Sequence, residues 1–304
     1  MNILIDTNVI LDVLCNRTGF VEDALKVFRL CEAEQITGYI SALSVPNIVY
    51  IMRKELDNSR IKEILTTLTA IFTVVELRES DLIRAVCLAV PEMRVRLGSL
   101  EPRTVTGEFC QCLKELPNLC PQFHLSMQSG SDTVLARMRR KYDTARYLQS
   151  VELLKKTFPG CAVTTDMIVA FPGETEEEFN ESLAFIRKCG FADMHIFPYS
   201  RRPGTPADKM PGQHPNAVKE ARSRAAIAVA EQMRREYLES LEGSSQSVLF
   251  EEPEEVYFTG HTPNYIKVYV SAADLHNEIR TVILGKPFRD GIIGEVCELA
   301  YESR

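Results

Sequence analysis

A strand–helix–strand unit in the middle of the chain constrains the fold more than any other part of the sequence. Residues 163–169 (VTTDMIV) predict a strand, and a second strand is predicted at 194–198. Between them, Thr175 and Glu178 have the spacing of a capping box, which predicts a helix over 176–189. Strands joined through a helix pair in parallel rather than as a hairpin. The chain is therefore predicted to contain a parallel α/β sheet.

The same alternation continues on both sides of this unit. The predicted strands are 2–5, 38–41, 72–76, 94–99, 124–127, 163–169 and 194–198. After Gly243 the pattern changes to short alternating strands, which predict a small β-barrel. Its predicted strands are 246–251, 256–260, 265–270, 279–284 and 291–298. We predict an α/β fold class in three segments, 1–80, 81–243 and 244–304. The first two are expected to form separate sheets, because unrelated faces rarely pack well.

Composition and charge exclude several classes of protein. The 304 residues carry a net charge of −7, which argues against a whole-chain electrostatic grip on nucleic acid but permits a local basic patch. No run of about 18 apolar residues occurs, so no membrane span is expected. The opening residues are interpreted as a strand and a turn, not a signal peptide. We predict a cytoplasmic protein whose nine cysteines are reduced.

The first segment has a carboxylate directly after a buried strand. Asp6 follows this strand in IDTNVILDVL, and such strand-end carboxylates can hold Mg²⁺ or Mn²⁺ for phosphodiester cleavage. With YISALSVPNIVYIMRK and FTVVEL, residues 1–80 resemble a truncated PIN-domain nuclease. The resemblance implies a metal-binding role for Asp6, although Asn47 stands where many members carry a glutamate. The interpretation that we favour is that Asp6 caps the following helix, because one carboxylate does not build a divalent site.

In the second segment, polar residues and a Pro-Gly loop follow the predicted strands. They occur in RVRLGSLEPR (94–103), in HLSMQSGSDTVLARMRRKY (124–142) and in the loop FPGET. In a half-barrel of parallel strands the ligand lies at the carboxyl ends, so these residues are expected to face it. The candidate hydrogen-bonding and anion-binding side chains are Gln128, Ser129, Arg137, Arg139 and Arg140.

Together and in this order, these segments resemble the tRNA threonylcarbamoyladenosine methylthiotransferases, which are radical-SAM enzymes. The resemblance covers residues 81–304, and GHTPNYIKVYV at 260–270 resembles the family's C-terminal TRAM barrel, which contacts tRNA. It implies S-adenosylmethionine and a [4Fe–4S] cluster as cofactors and tRNA as the partner. The residues implied to line the S-adenosylmethionine pocket are Gln128, Ser129, Thr165, Asp166, Gly173, Glu174 and Tyr199. Ala170 stands where the family usually has glycine, which is expected to crowd the cofactor slightly.

The cysteines lack the spacing of the family's cluster sites. They occur at positions 15, 31, 87, 110, 112, 120, 161, 189 and 297, and none forms CxxC or CxxxCxxC. On a predicted helix Cys110 and Cys112 point about 200° apart, so they do not converge on one metal. Without three converging thiolates no cluster forms, and binding residues do not replace it. We expect a truncated chimera that lacks the cluster-binding start of its barrel and does not catalyse as a single chain.

Two other functions remain as alternatives. One is RNA binding through the C-terminal barrel, although four glutamates in 251–255 make its surface not obviously basic. The other is metal-dependent ribonuclease activity of residues 1–80. The sequence does not indicate the oligomeric state or whether a partner chain supplies cluster ligands.

Overall fold

Twelve strands form three sheets in the part of the chain that the structure describes. The computed structural model describes residues 1–54, 56–76, 78–272 and 274–297. The chain divides into two compact units, Met1–Ile83 and Arg84–Arg304. The predicted mixed α/β fold with parallel sheets is confirmed. Residues 298–304 of the predicted C-terminal segment, including the end of its fifth predicted strand, lie outside the described residues.

The first unit contains a three-stranded parallel sheet and its helices. Its elements are β1 (Asn2–Ile5), α1 (Thr7–Leu14), α2 (Val21–Glu32), β2 (Thr37–Ser41), α3 (Ser44–Met52), α4 (Asn58–Ile71) and β3 (Thr73–Val75). The strand order is β1-β2-β3, with Ile5 opposite Ile40. Ile40 is almost fully buried, together with Ile10 of α1 and Ile48 of α3, in one aliphatic core. This sheet is separate from the second parallel sheet, as predicted.

The second unit begins with a four-stranded parallel sheet. Its elements are β4 (Ser99–Leu100), α6 (Gly107–Lys114), β5 (Gln122–Leu125), α7 (Asp132–Arg137), α8 (Thr144–Thr157), β6 (Ala162–Val169), α9 (Glu176–Cys189), β7 (Asp193–Pro198) and α10 (Asn216–Glu239). Helix α5 (Glu79–Ala89) crosses the boundary between the units. The strand order β4-β5-β6-β7 is the order in the chain, as expected for consecutive βα units. All four carboxyl ends therefore lie at one edge of the sheet.

The strand predicted at 94–99 is much shorter in the structure. Val95 forms only an isolated bridge with Leu119, and regular pairing of β4 covers two residues. Between these points the guanidinium carbon of Arg96 lies 3.6 Å from the centre of the Tyr265 ring in the C-terminal barrel. The segment leaves the sheet where its side chain contacts another part of the unit. Strand periodicity alone does not show such a contact.

Side chains alternate between two faces of this sheet. Phe123 and Leu125 of β5 and Met167 of β6 are fully buried on one face. His124 and Asp166 lie on the opposite face and are partly exposed. Because successive residues of a strand point to opposite sides, the polar residues share one surface. That polar surface is the one that can meet a ligand.

Helix α9 begins and ends where the sequence predicts. The hydroxyl of Thr175 accepts a hydrogen bond from the N–H of Glu178 (3.2 Å), and the Glu178 carboxylate accepts one from the N–H of Thr175 (2.9 Å). Gly190 ends the helix in a left-handed conformation with φ 61°. The capping box fixes the direction of the chain directly after the loop 170–174.

The chain ends in a closed five-stranded barrel, which confirms the β-barrel predicted after Gly243. Its strands are β8 (Ser245–Glu254), β9 (Tyr257–His261), β10 (Lys267–Val270), β11 (Ile279–Phe288) and β12 (Gly291–Val296), in the order β10-β12-β11-β8-β9. Val248, Phe250 and Val282 fill its core and are fully buried. None of the helices in the described part of the chain combines the length and the apolar composition of a membrane span.

Candidate functional site

The carboxyl ends of β5, β6 and β7 surround a cleft of about 730 Å³. Its walls come from residues 128–140 after β5, 166–171 in and after β6, and 197–210 at the end of β7. Of the residues implied by the family resemblance, Gln128, Asp166 and Tyr199 line the cleft. Ser129, Thr165, Gly173 and Glu174 are not part of its lining. The roles of all seven as ligand contacts remain predictions.

One wall of the cleft is aromatic. The rings of Phe171 and Tyr199 meet edge to face with their centres 5.3 Å apart, and Phe197 beside them is 50% exposed. The Tyr199 hydroxyl is buried and has no hydrogen-bond partner among the described residues. Buried polar groups are normally paired, so this hydroxyl is an exception. The rings of the wall can hold a planar group.

Gln128 is the point at which the chain turns from β5 over the cleft. Its backbone is left-handed, with φ 71°. Its N–H donates to the carbonyl of Asp166 and its carbonyl accepts from the N–H of Ile168, both at 2.9 Å. These two bonds extend the pairing of β5 with β6 beyond Leu125. As a result, Gln128 and Asp166 lie side by side at the cleft.

Asp166 belongs to a chain of polar contacts along the exposed face of the sheet. Its Oδ2 lies 3.3 Å from Nε2 of His124. The other ring nitrogen, Nδ1, lies 3.1 Å from the Thr164 hydroxyl, which also accepts a hydrogen bond from the Gln122 amide at 3.0 Å. These contacts fix the orientation of the Asp166 carboxylate. His124 is therefore a part of the site that the sequence analysis did not identify.

Ser129 and Thr165 are fully buried, and both hydroxyls bond within the protein. The Ser129 hydroxyl lies 3.3 Å from that of Ser182 on α9. The Thr165 hydroxyl donates to the carbonyl of Leu125 and accepts from the N–H of Met127 (3.1 Å). The two side chains join the strands and α9 behind the cleft. Their effect on a ligand is through the shape of the cleft wall.

The loop 170–174 is closed by a buried carboxylate. Oε2 of Glu174 accepts hydrogen bonds from the N–H of Ala170 (2.6 Å) and from Nη1 of Arg222 on α10 (2.7 Å). Burial raises the pKa of Glu174, and these two donors act in the opposite direction. Gly173 has φ 74° and donates its N–H to the carbonyl of Gly212 (2.9 Å). The loop is thus held by its own backbone at Ala170, by Arg222 of α10 and by Gly212.

Ala170 affects this loop differently from the sequence expectation. Its side chain is fully buried and does not line the cleft, so it does not stand in the space of a ligand there. Its backbone, however, has φ 56°, in the left-handed region that favours glycine. The structural consequence of alanine at this position is backbone strain.

The arginines at the cleft differ in their partners. Arg137 makes a two-pronged contact with Glu178, at 3.0 and 2.5 Å. This contact and the hydroxyl of Thr133 lower the pKa of Glu178 to about 2. The guanidinium group of Arg137 is therefore paired with Glu178, whereas the sequence analysis had predicted Arg137 as an anion-binding residue. Arg139 and Arg140 make no ion pair with the described residues, and neither does Arg202 on the opposite side of the cleft.

Asp6 has the capping role that we favoured. Its carboxylate accepts a hydrogen bond from the N–H of Asn8 (2.8 Å) at the start of α1. Asn47 is exposed on α3. Within the described residues, no group of three or more His, Cys, Asp or Glu side chains is placed to hold a metal ion. A Mg²⁺ or Mn²⁺ site at Asp6 has no support beyond the resemblance of the first segment.

Comparison with known proteins identifies the family. The family model described as the Radical SAM superfamily matches residues 32–186, which is half of the chain. The chain belongs to the radical SAM superfamily. The matched range starts inside the first unit and includes β2 to β3, which the sequence analysis had compared with a PIN domain. The assignments of a PIN fragment and a TRAM barrel remain predictions.

Curated relatives of this radical SAM chain modify tRNA. It is 40% identical over 214 residues to threonylcarbamoyladenosine tRNA methylthiotransferase of Bacillus subtilis, covering 67% of this chain and 48% of the relative. It is 43% identical over 156 residues to tRNA-2-methylthio-N(6)-dimethylallyladenosine synthase of Rhodococcus jostii, covering 51% and 31%. The chain thus spans half or less of the length of these relatives.

A solved structure of the same superfamily shows only a distant likeness to this chain. It is coproporphyrinogen III oxidase from Escherichia coli, which is 14% identical with a TM-score of 0.40 and covers 65% of this chain and 40% of that one. A likeness at this level does not bear on the fold.

The cysteines of this radical SAM chain do not fit a [4Fe–4S] cluster at the cleft. All nine lie among the described residues, and none lines the cleft. Six are buried. Burial raises the pKa of Cys161 to about 11 and that of Cys189 to about 12, so both are protonated thiols at neutral pH. Cluster ligation requires converging thiolates, which this set does not provide.

Proposed function

We propose that the chain is a relative of the tRNA methylthiotransferases that binds S-adenosylmethionine in the cleft and tRNA through its C-terminal barrel. Methylthiolation of N6-threonylcarbamoyladenosine in tRNA is the reaction to which this relationship points. The observation that carries the proposal is the convergence of Gln128, Asp166 and Tyr199 on one cleft at the carboxyl ends of a parallel sheet. The 40% identity to the Bacillus subtilis enzyme supports it.

The cleft has the properties that S-adenosylmethionine requires. Its volume of about 730 Å³ lies within the range of small-molecule sites. Its aromatic wall can hold the adenine, and the unpaired guanidinium group of Arg140 can meet the carboxylate. The Asp166 carboxylate, oriented by His124, can accept hydrogen bonds from ribose hydroxyls or from the amino group. In this family the bound cofactor and its cluster supply the radical chemistry, and the protein supplies binding and orientation.

We propose that the C-terminal barrel is a TRAM domain and that it contacts tRNA. The segment 260–270, which carries the resemblance, forms the end of β9, a turn and β10. The exposed Tyr265 in this turn stacks on His261 with ring centres 4.6 Å apart, and Arg96 covers its other face. Both faces of the Tyr265 ring are thus covered, but the exposed guanidinium plane of Arg96 is a surface on which an unpaired base can stack. Because many barrel cations are paired with glutamates, such as Lys267 with Glu254, we expect modest affinity.

As a single chain, the protein is proposed not to catalyse the reaction. Its own thiols do not fit a cluster, so no step through one is assigned to its residues. We propose the three-segment organisation 1–80, 81–243 and 244–304, in which the second segment lacks the cluster-binding start of the barrel. The cleft and the barrel are then the parts that retain function.

Two binding measurements test this proposal. Equilibrium dialysis with S-adenosylhomocysteine should show saturable binding to the full chain, and Asp166→Asn should weaken it. Electrophoretic titration with tRNA at two salt concentrations should show a complex that weakens as salt rises, because phosphate contacts release counterions. Absence of both interactions in a correctly folded chain would refute the proposal. A complex with tRNA but none with the cofactor analogue would reduce the function to RNA binding.

A further inference from the structure

The cleft carries an excess of positive charge, although the whole chain is acidic. Four arginines line it, and only Arg137 is neutralised, by Glu178. The other three are Arg139, Arg140 and Arg202. Among the described residues of the lining, Asp166 is the one acid. Three guanidinium groups therefore face one carboxylate in a protein whose net charge is −7. Such an arrangement favours a ligand with a negative group.

Local structure holds two of these arginines on the segments that follow α7 and β7. Arg139 follows α7 in a left-handed conformation, φ 57°, with its N–H bonded to the carbonyl of Ala136 (3.0 Å). Arg202 lies in the loop after β7, where its carbonyl accepts hydrogen bonds from the N–H (3.2 Å) and the hydroxyl (2.8 Å) of Thr205. Strand β6 lies between β5 and β7. Both side chains are exposed, and the turns beneath them are fixed.

The neighbouring arginine on the same loop provides a contrast. Nε of Arg201 donates to Asp208 at 2.8 Å, and Nη2 donates to the carbonyl of Asp208 at 2.9 Å. The loop thus neutralises one of its two adjacent arginines and leaves the other without a carboxylate. The charge of Arg202 is not required for the fold of the loop, since the hydrogen bonds there use its carbonyl.

The charge of the substrate distinguishes the two kinds of relative. The threonylcarbamoyl substituent of adenosine ends in a carboxylate, whereas the dimethylallyl substituent is a hydrocarbon. Identity does not separate the two, because the chain is 40% and 43% identical to representatives of each. The positive charge of the cleft does separate the two kinds of relative. Guanidinium groups that lose hydrating water beside a hydrocarbon gain no polar interaction in return. A carboxylate offers them charge-assisted hydrogen bonds.

We propose that Arg139 and Arg202 are specificity-determining residues that bind the carboxylate of the N6-threonylcarbamoyl group of the substrate adenosine. This inference rests on the proposed function. It assigns to the cleft a selectivity for an acidic substituent over an apolar one. Loss of either arginine removes this selectivity and leaves the aromatic wall, which holds the adenine of the cofactor, unchanged.

Binding of free nucleosides to the full chain tests the inference. S-adenosylhomocysteine is kept saturating, so that the carboxylate of the cofactor is already accommodated. The ligands are N6-threonylcarbamoyladenosine, its methyl ester, N6-dimethylallyladenosine and adenosine 5′-monophosphate. The acid should bind about tenfold more tightly than the ester and the dimethylallyl compound, as expected for one charge-assisted interaction. The monophosphate should show no such gain, because the site recognises the substituent rather than a phosphate.

Matched variants complete the test. Arg139→Gln and Arg202→Gln should each reduce the preference for the acid over the ester, and Arg202→Lys should retain part of it. Arg224→Gln removes the same charge from an exposed position on α10 outside the cleft and should leave the preference unchanged. Equal binding of acid and ester, or an equal gain with the monophosphate, overturns the inference. If S-adenosylhomocysteine binds in those cases, the proposed function stands; if neither it nor tRNA binds, that function fails as well.

Discussion

Arg222 on α10 binds Glu174 through both its side chain and its main chain. Nη1 lies 2.7 Å from Oε2 and 3.0 Å from the carbonyl oxygen of Glu174. The arginine side chain is 7% exposed and the glutamate side chain is fully buried. The pair therefore ties the loop after β6 to a helix that begins 42 residues later, at Asn216, counted from Glu174. This loop forms one end of the cleft.

Breaking that pair from the arginine side should destabilise the protein strongly. Arg222→Met leaves the Glu174 carboxylate buried without a charged partner, which costs about 3–5 kcal/mol. Since burial already raises the pKa of Glu174, the variant should recover stability as the pH falls and the carboxyl protonates. Adding Glu174→Gln should restore part of the loss at pH 7. Urea unfolding of the two single variants and the double variant measures this coupling; strictly additive losses would argue against it.

The contact between Arg137 and Glu178 should make the free energy of unfolding depend on pH in the acidic range. The pKa of Glu178 is lowered to about 2 in the folded protein, against about 4.3 when unfolded. A carboxyl with a lowered folded pKa stabilises the fold above its unfolded pKa, and this contribution is lost as the pH falls from about 4 towards 2. Glu178→Gln should cost about 1–3 kcal/mol at pH 7 and progressively less as the pH falls from about 4 towards 2. Glu220→Gln, exposed on α10, is the control, and a pH-independent loss for Glu178→Gln would contradict the account.

Replacing Ala170 by glycine should stabilise the loop. The left-handed backbone at Ala170 costs about 1–2 kcal/mol for a residue with a Cβ, which exceeds the entropic cost of glycine. We expect Ala170→Gly to raise the free energy of unfolding by up to about 1 kcal/mol. Ala136→Gly, within α7, should lower it by about 0.5–1 kcal/mol. Thermal unfolding of both variants gives the comparison, and a loss at position 170 similar to that at 136 would show that the backbone is not strained.

Gly260 should not tolerate even a methyl group. A Cβ at this position would overlap the carbonyl oxygen of Leu249 on the paired strand β8. Gly260→Ala should therefore destabilise the barrel by about 1–3 kcal/mol, as overpacking does. Gly107, where a Cβ meets nothing within 4 Å, provides the same substitution in open space and should be nearly neutral. Similar unfolding midpoints for the two variants would contradict the close packing of β8 and β9.

The elements with a strong local signal were the ones that the sequence predicted well. The capping box at Thr175 and the terminal Gly190 located α9 at both ends, because the contacts involved span only a few residues. The C-terminal strands were also found, since their alternation is local. By contrast, the strand at 94–99 was overestimated, because the contact of Arg96 with Tyr265 joins residues far apart in the chain.

Only part of the candidate site could be predicted from the sequence, again because its contacts join residues far apart in the chain. Sequence order placed Gln128 at a strand end, the family resemblance implied Asp166, and the structure brings the two to one cleft. The partners that decide how each side chain acts are distant in sequence. His124 orients Asp166, Glu178 is paired with Arg137, and Arg222 is paired with Glu174. The alternation of His124 with buried neighbours in β5 was the one local signal that could have identified it.

Anaerobic reconstitution of the full chain with iron and sulfide tests the central claim most directly. The account predicts that no stoichiometric [4Fe–4S] cluster forms, because the cysteines are dispersed and none lines the cleft. With S-adenosylmethionine and a reductant, no 5′-deoxyadenosine should then be released above background. A reconstituted chain with the absorbance of a stoichiometric cluster and release of 5′-deoxyadenosine would contradict it.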